Sequence, residues 1–232
     1  MTARSITTTT LLALFPLLTL ACSSDSSTSS SDPWVGHSFL LNIPADRWTE
    51  PAGIGSDIGI FVPNFIIEVS SVSNGSLQAN LGTADESGTQ DLCNPTTSIT
   101  GTAQPPSAQI GPAEVPLRIV DADHGVVVTA MAHNFTLTNI LPDGDLLATE
   151  GELSATVDAR ELYPLFYLLT NPNADVVCSA LLSFGAACSA CPGDGATYCL
   201  SLKAVRLGAT ELTGTNLQPV DAASLDSSCQ TN

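Results

Sequence analysis

Seven cysteines, three histidines and one acid–base neighbour pair are the residues of this 232-residue chain whose types and spacing bear on chemistry. A thiolate is a nucleophile and a metal ligand, two thiols make a redox couple or a cross-link, and an imidazole serves as base or ligand. Cys188-Ser-Ala-Cys191 has the spacing of a redox dithiol. Redox work needs the first sulfur at a helix N-terminus that follows a strand, because the dipole there lowers the thiol pKa. Here Gly185 lies just ahead of Cys188, at the end of an expected helix, and Pro192-Gly193-Asp194-Gly195 follows Cys191 as a turn. That context is wrong for redox work. A zinc site would want four thiolates or added histidines at these spacings, and no histidine lies within about fifty residues of Cys188. The cysteines therefore read as structural cross-links, and no metal or other cofactor is expected.

His124 and His133 lie nine positions apart (133 − 124) on what read as successive strands. A facing pair would bind a metal with Asp121 or Asp123, yet Asp121-Ala-Asp-His-Gly125 is also the composition of a tight turn. The turn is the expectation. His37 stands alone. Asp143-Gly144-Asp145 and Asp194-Gly195 lack the further oxygen ligands of a calcium loop and read as turns. No Gly-x-Ser-x-Gly elbow, His-Glu-x-x-His helix, Walker loop or dinucleotide glycine loop occurs. Arg160, two residues after Asp158, is one of only six basic side chains, so a carboxylate partner is expected for it. Trp34 and Trp48, near Pro33, Pro44 and Pro51, read as core or lid aromatics rather than ligand-stacking platforms.

The N-terminus carries a compartment signal. Arg4 precedes an apolar run, Leu11 to Leu20, that is too short to span a bilayer but has the length of a signal-peptide core. The run ends in Leu18-Thr19-Leu20-Ala21-Cys22, and Ser23 to Ser31 follows with no side chain able to bury apolar surface. These residues resemble the processing site of a bacterial lipoprotein, although Thr19 stands where that family most often has Leu. The resemblance implies cleavage after Ala21, diacylglyceryl and palmitoyl-type acylation of Cys22, and a solvated tether over 22–32. Ser23 rather than Asp after the cysteine is similar to the group sorted to the outer membrane. Cys178 to Leu200 loosely resembles a segment of uncharacterised exported lipoproteins of Gram-negative bacteria, which implies no activity.

With Cys22 assigned to lipid, Cys93, Cys178, Cys188, Cys191, Cys199 and Cys229 form an even set that pairs fully in an oxidising compartment. Six cysteines allow 15 connectivities, between which spacing alone does not choose. The preferred pairing is local, Cys178 with Cys188 and Cys191 with Cys199, leaving Cys93 to reach Cys229. A formal charge of −17, from 23 acidic against 6 basic residues, excludes nucleic-acid binding through basic patches.

The elements that must position these residues are mostly short strands. Phe65–Ser73 and Ser76–Ala84 flank Asn74-Gly75, a tight-hairpin signal. Glu114–Val120 and Val126–Ala130 flank the Asp121–Gly125 turn. His133–Leu141 alternates Phe135, Leu137 and Leu141 on one face, with Asn139 the exception. Pro142-Asp143-Gly144 turns into a strand alternating Leu153, Ala155 and Val157. Asp158 caps a helix from Ala159, with Glu161 closing an acidic capping box and Pro164 shortening it. A second helix is expected from Pro172 or Asn173 to Ser183, with Val177, Leu181 and Phe184 on its buried face and Gly185 stopping it. Thr197–Leu207 returns to alternation.

Strands in runs with the helices grouped indicate α+β: mainly antiparallel sheet or sandwich, two short helices near 159–184, disulfide-stapled. The domains expected are a signal peptide over 1–21, the lipidated tether, and one globular domain over 33–232. The function expected is non-enzymatic: an envelope lipoprotein, held by lipid at the outer membrane, with a binding or structural domain. Two alternatives remain. A carrier or sensor of an apolar ligand requires an unfilled cavity beneath Tyr163–Leu169. A hydrolase requires a histidine within reach of a carboxylate and a nucleophile in one cleft.

Overall fold

Strands with one buried and one solvated face must hide their edges as well as their apolar side, and here they do so by closing on themselves. The structure, a computed structural model, describes residues 34–229 apart from 60, 86, 105, 106, 122, 141, 144, 145, 170, 172, 227 and 228. The signal segment, Cys22 and the tether, together with Pro33, Leu141, Gly144, Asp145 and Pro172, lie outside the described residues.

Ten strands are formed among the described residues: β1 (Ser38–Asn42), β2 (Trp48–Glu50), β3 (Asn64–Ser73), β4 (Ser76–Ala84), β5 (Thr97–Gln104), β6 (Ser107–Asp121), β7 (Val126–Ile140), β8 (Pro142–Asp143), β9 (Leu146–Asp158) and β10 (Cys199–Glu211). Every pairing is antiparallel, and the order β1-β3-β4-β5-β6-β7-β9-β10 returns to β1. Closure rests on β10, which pairs with β9 along most of its length and with β1 through Gly208–Glu211. The mainly antiparallel sheet with few short helices and three disulfides is as expected; its closure into an eight-stranded up-and-down barrel, rather than a sandwich, is what the sequence reading lacked. β2 continues the β1 edge of β10, opposite Lys203 and Ala204, and β8 pairs with the start of β9, Pro142 opposite Leu147 and Asp143 opposite Leu146.

Alternation fills the barrel. Phe39 and Leu41, Phe65 to Val69, Leu77 to Leu81, and Leu153 to Val157 place every second side chain inward. Phe65 and Phe135 meet edge to face near the middle, ring centroids 5.3 Å apart. At the end where Phe39, Val69, Leu77, Ile110 and Ile140 lie, Trp34 closes the interior, leaving a void of only about 10 Å³. Outward positions such as Glu68, Gln78, Thr100 and Lys203 are polar.

The alternation is reset where the strands bulge. In β7 the buried series Val128, Ala130, Ala132 jumps to Phe135 and Leu137 and again to Ile140, and Asn134 and Asn139 take φ of 53° and 56° at the two steps. In β10, Arg206 at φ 55° shifts the series Leu200, Leu202, Ala204 to Leu207 and Ala209.

The three α-helices among the described residues lie at the barrel end opposite Trp34: α1 (Gly55–Gly59), α2 (Ala159–Leu162), continued by a 3₁₀ turn over Tyr163–Phe166, and α3 (Ala174–Ser183). α1 was not expected from the sequence. The expected Tyr163–Leu169 helix is only that 3₁₀ turn, with Pro164 in its first turn and its end at Phe166. No helix among the described residues is long and apolar enough to cross a membrane.

Candidate functional site

The end of a barrel exposes strand carbonyls and the last inward side chains, so it must be plugged, capped or left as a binding mouth. Leu117 and Ile119 of β6, Val157 of β9, and Leu200 and Leu202 of β10 form the floor of such a mouth. Above them Leu162, Leu165 and Phe166 of the α2 segment, Leu181 of α3, and Ile54, Phe61 and Val62 around α1 form a roof. Between the two lies a cavity of about 280 Å³. Asp57 is the single charged residue on a wall otherwise entirely apolar.

Each roof element has an identifiable anchor. Asp158 caps α2 by accepting from Arg160 N (2.8 Å), as expected. The capping box does not close. Glu161 turns away and accepts from Met131 N of β7 at 2.6 Å, which pins α2 to the barrel wall instead. The Tyr167 ring packs against His124 of the β6–β7 turn, centroids 4.4 Å apart and planes tilted by 36°; its hydroxyl is pushed above the usual tyrosine range by burial and then by Asp121 and Asp123. Asn173 caps α3 through Val176 N (3.1 Å), and Gly185 ends it at φ 90°. Val177 and Leu181 are buried as expected, but Phe184 is 63% exposed. It sits one residue past the helix, where the chain has already turned, so it stands on the cavity rim instead of in the core.

α1 depends on glycine. A Cβ on Gly59 would lie 2.2 Å from Trp48 Cδ1, so only glycine lets α1 rest on that indole. Trp48 is thereby core, Trp34 is the plug at the far end, and neither lines the apolar cavity.

The cysteines stand as the local pairing requires: Cys178–Cys188, Cys191–Cys199 and Cys93–Cys229 are disulfides. The first two staple α3 and the following loop to the start of β10. Arg160 completes this side of the roof. It donates to Asp158 from Nε (2.8 Å) and to Asp194 from Nη1 (2.7 Å), and lies 5.4 Å over the Tyr198 ring. Both partners hold its guanidinium protonated above the ordinary arginine value, and the Arg160 bond holds the Asp194 carboxyl below the usual range. Asp194-Gly195 is thus a turn bearing an ion pair. Tyr198 donates to Asp175 at the start of α3 (2.9 Å), which raises the phenol above its ordinary value.

The histidines are dispersed. His37 pairs with Glu211, His124 with Asp121, and His133 with Glu114. The facing His124–His133 pair does not form, because His133 lies well along β7, opposite Thr156 of β9, while His124 stays in the turn. Among the described residues, no hydroxyl is hydrogen-bonded to a histidine. The single cluster of three metal-ligating residues found among the described residues is Asp158, Cys191 and Cys199, and its sulfurs are bonded to each other, which removes the thiolates a metal needs.

Outside the barrel wall, a larger and more open groove of about 1000 Å³ runs past Asn64, Asp85, Gln90, Asp91 and Arg118. Phe61 and Val62 line it as well as the cavity, so the two spaces meet across the same pair of side chains. Sequence reading named a cavity beneath Tyr163–Leu169 only as the condition for an apolar-ligand carrier, and it missed Ile54, Asp57, Phe61 and Val62. Their only signal was an apolar residue on either side of a glycine-rich turn. Compared with family models, with curated proteins and with solved structures, the chain matches none.

Proposed function

We propose that this chain is an exported, lipid-anchored protein of the cell envelope that binds a small apolar ligand at the mouth of its barrel. The observation that carries the reading is the cavity of about 280 Å³ between the strand ends and the α2 and α3 roof, near the lower bound of ordinary ligand pockets. A purely structural domain has no use for an apolar space that close packing would fill. The far end of the same barrel is filled, down to about 10 Å³. Closure also suits the role: eight strands enclose room for side chains or for one small ligand. The anchor rests on Cys22 and the preceding apolar run, and the acid excess keeps the domain soluble and off anionic lipid.

The test is titration with a neutral fluorescent probe of apolar environments, N-phenyl-1-naphthylamine, on the intact protein and on Val157→Phe, which places a ring on the cavity floor. Saturable binding by the parent and at least tenfold weaker binding by a folded Val157→Phe support the reading. Equal binding by both overturns it.

A further inference from the structure

We propose that the ligand is a cationic amphiphile, an apolar body carrying an amine, with the body in the cavity and the ammonium at its Asp57 rim. This rests on the cavity reading above. The cavity wall offers thirteen apolar residues and one carboxylate, Asp57, which stands on α1 exposed to solvent; its N–H bonds the Ile54 carbonyl, and its carboxylate makes no hydrogen bond or ion pair among the described residues. An apolar ligand without charge would gain nothing from that group, whereas an ammonium seated on the body's outer end meets a carboxylate at the point where the wall turns polar.

The surroundings have the same sign. Across Phe61 and Val62 the groove presents Asp85 and Asp91 against a single cation, Arg118. Arg118 is already engaged: it donates to the Cys229 carbonyl from Nε and Nη2 (3.3 and 3.1 Å) and approaches Asp91 at 3.5 Å. An anionic head therefore finds no uncommitted cation on this rim, while a cationic head finds an excess of carboxylate. The Ser87 hydroxyl and the Thr89 N–H keep Asp85 ionised, below the ordinary aspartate range. The net charge of −17 adds a long-range field that gathers cations and repels fatty carboxylates.

The experiment compares three amphiphiles sharing one twelve-carbon chain, each below its micelle concentration at neutral pH: dodecylammonium, dodecyl maltoside and dodecanoate. Displacement of the neutral probe from the intact protein gives their affinities. Dodecylammonium is expected to bind about two- to fivefold more tightly than the maltoside, the range for a partly exposed ion pair, and dodecanoate most weakly. Asp57→Asn is expected to remove the ammonium's advantage without changing maltoside binding, and added salt to shrink it. Equal affinity of all three, or an advantage that survives Asp57→Asn, overturns the amine assignment and leaves the cavity reading standing. Failure of all three to displace a probe that does bind overturns the assignment; failure of the probe itself to bind overturns both.

Discussion

Arg160 Nη1 lies 2.7 Å from Asp194 Oδ2, and this ion pair ties the roof of the barrel mouth to the loop closed by Cys191 and Cys199. The pair couples roof stability to acid. Asp194 has a folded pKa depressed by the Arg160 hydrogen bond first and by the Ala196 N–H second. A depressed carboxyl contributes its full stabilisation above the unfolded aspartate value, about 3.9, and loses it as the pH falls through the folded value. Melting temperatures of the parent and of Asp194→Asn are therefore expected to differ most at neutral pH and to converge in the acid range below the unfolded value. A gap that stays constant across that range contradicts the linkage.

Phe135 and Phe184 separate packing from rim. Phe135 is buried against Phe65 at the barrel centre, so Phe135→Ala should cost about 3–5 kcal/mol in urea unfolding. Phe184→Ala, on the exposed rim, should stay within about 0.5 kcal/mol. Its effect is expected instead on the rate at which the neutral probe enters and leaves.

The three disulfides differ in reach. Cys93 and Cys229 are 136 residues apart, against 8 for Cys191 and Cys199, so on the chain-entropy model their bridges contribute up to about 5 and 2.6 kcal/mol. The long bridge also fastens the C-terminal segment over the barrel exterior, where Leu217 packs on Ile66 and Ala84 and the Val220 N–H and carbonyl both meet Thr96. Replacing Cys93 and Cys229 together by serine should speed hydrogen exchange at Gln218 and Val220 well before it affects β4 and β5. Uniform acceleration across the barrel would show that the segment has no independent opening.

Asn173 is the N-cap of α3, and Asn173→Ala is expected to cost about 1 kcal/mol. Because α3 carries Leu181 of the cavity roof, the same substitution should weaken probe binding, whereas Ser183→Ala at the far end of the helix should leave it unchanged.

The parts of this fold that were legible in the sequence are those written in local chemistry. Asn74-Gly75 announced its hairpin because the turn needs positive φ at both positions, and the two residues take 52° and 77°. Asp158, Asn173 and Gly185 announced the helix ends for equally local reasons. Barrel closure was hidden, since the pairing of β10 with β1 joins Phe39 to Glu211 and leaves no trace in periodicity. Asn134 and Arg206 were hidden too: a bulge breaks the alternation by which strands are recognised, and arginine is an unusual residue for a left-handed position. The apolar space under the α2 segment could be named as a condition, but not seen, because a cavity is a property of three elements that meet only after folding. Phe184 shows the converse. Helical spacing assigned it to the core, yet the helix had already ended.

Methyl-resolved NMR of the intact protein during titration with N-phenyl-1-naphthylamine tests the central claim most directly. The account expects saturable shifts confined to Ile54, Val62, Leu117, Ile119, Val157, Leu162, Leu165, Leu181, Leu200 and Leu202, with Ile67, Val69 and Leu77 at the Trp34 end unmoved. Absence of shifts at the first group, or shifts restricted to the exposed Leu168 and Leu182, would contradict it.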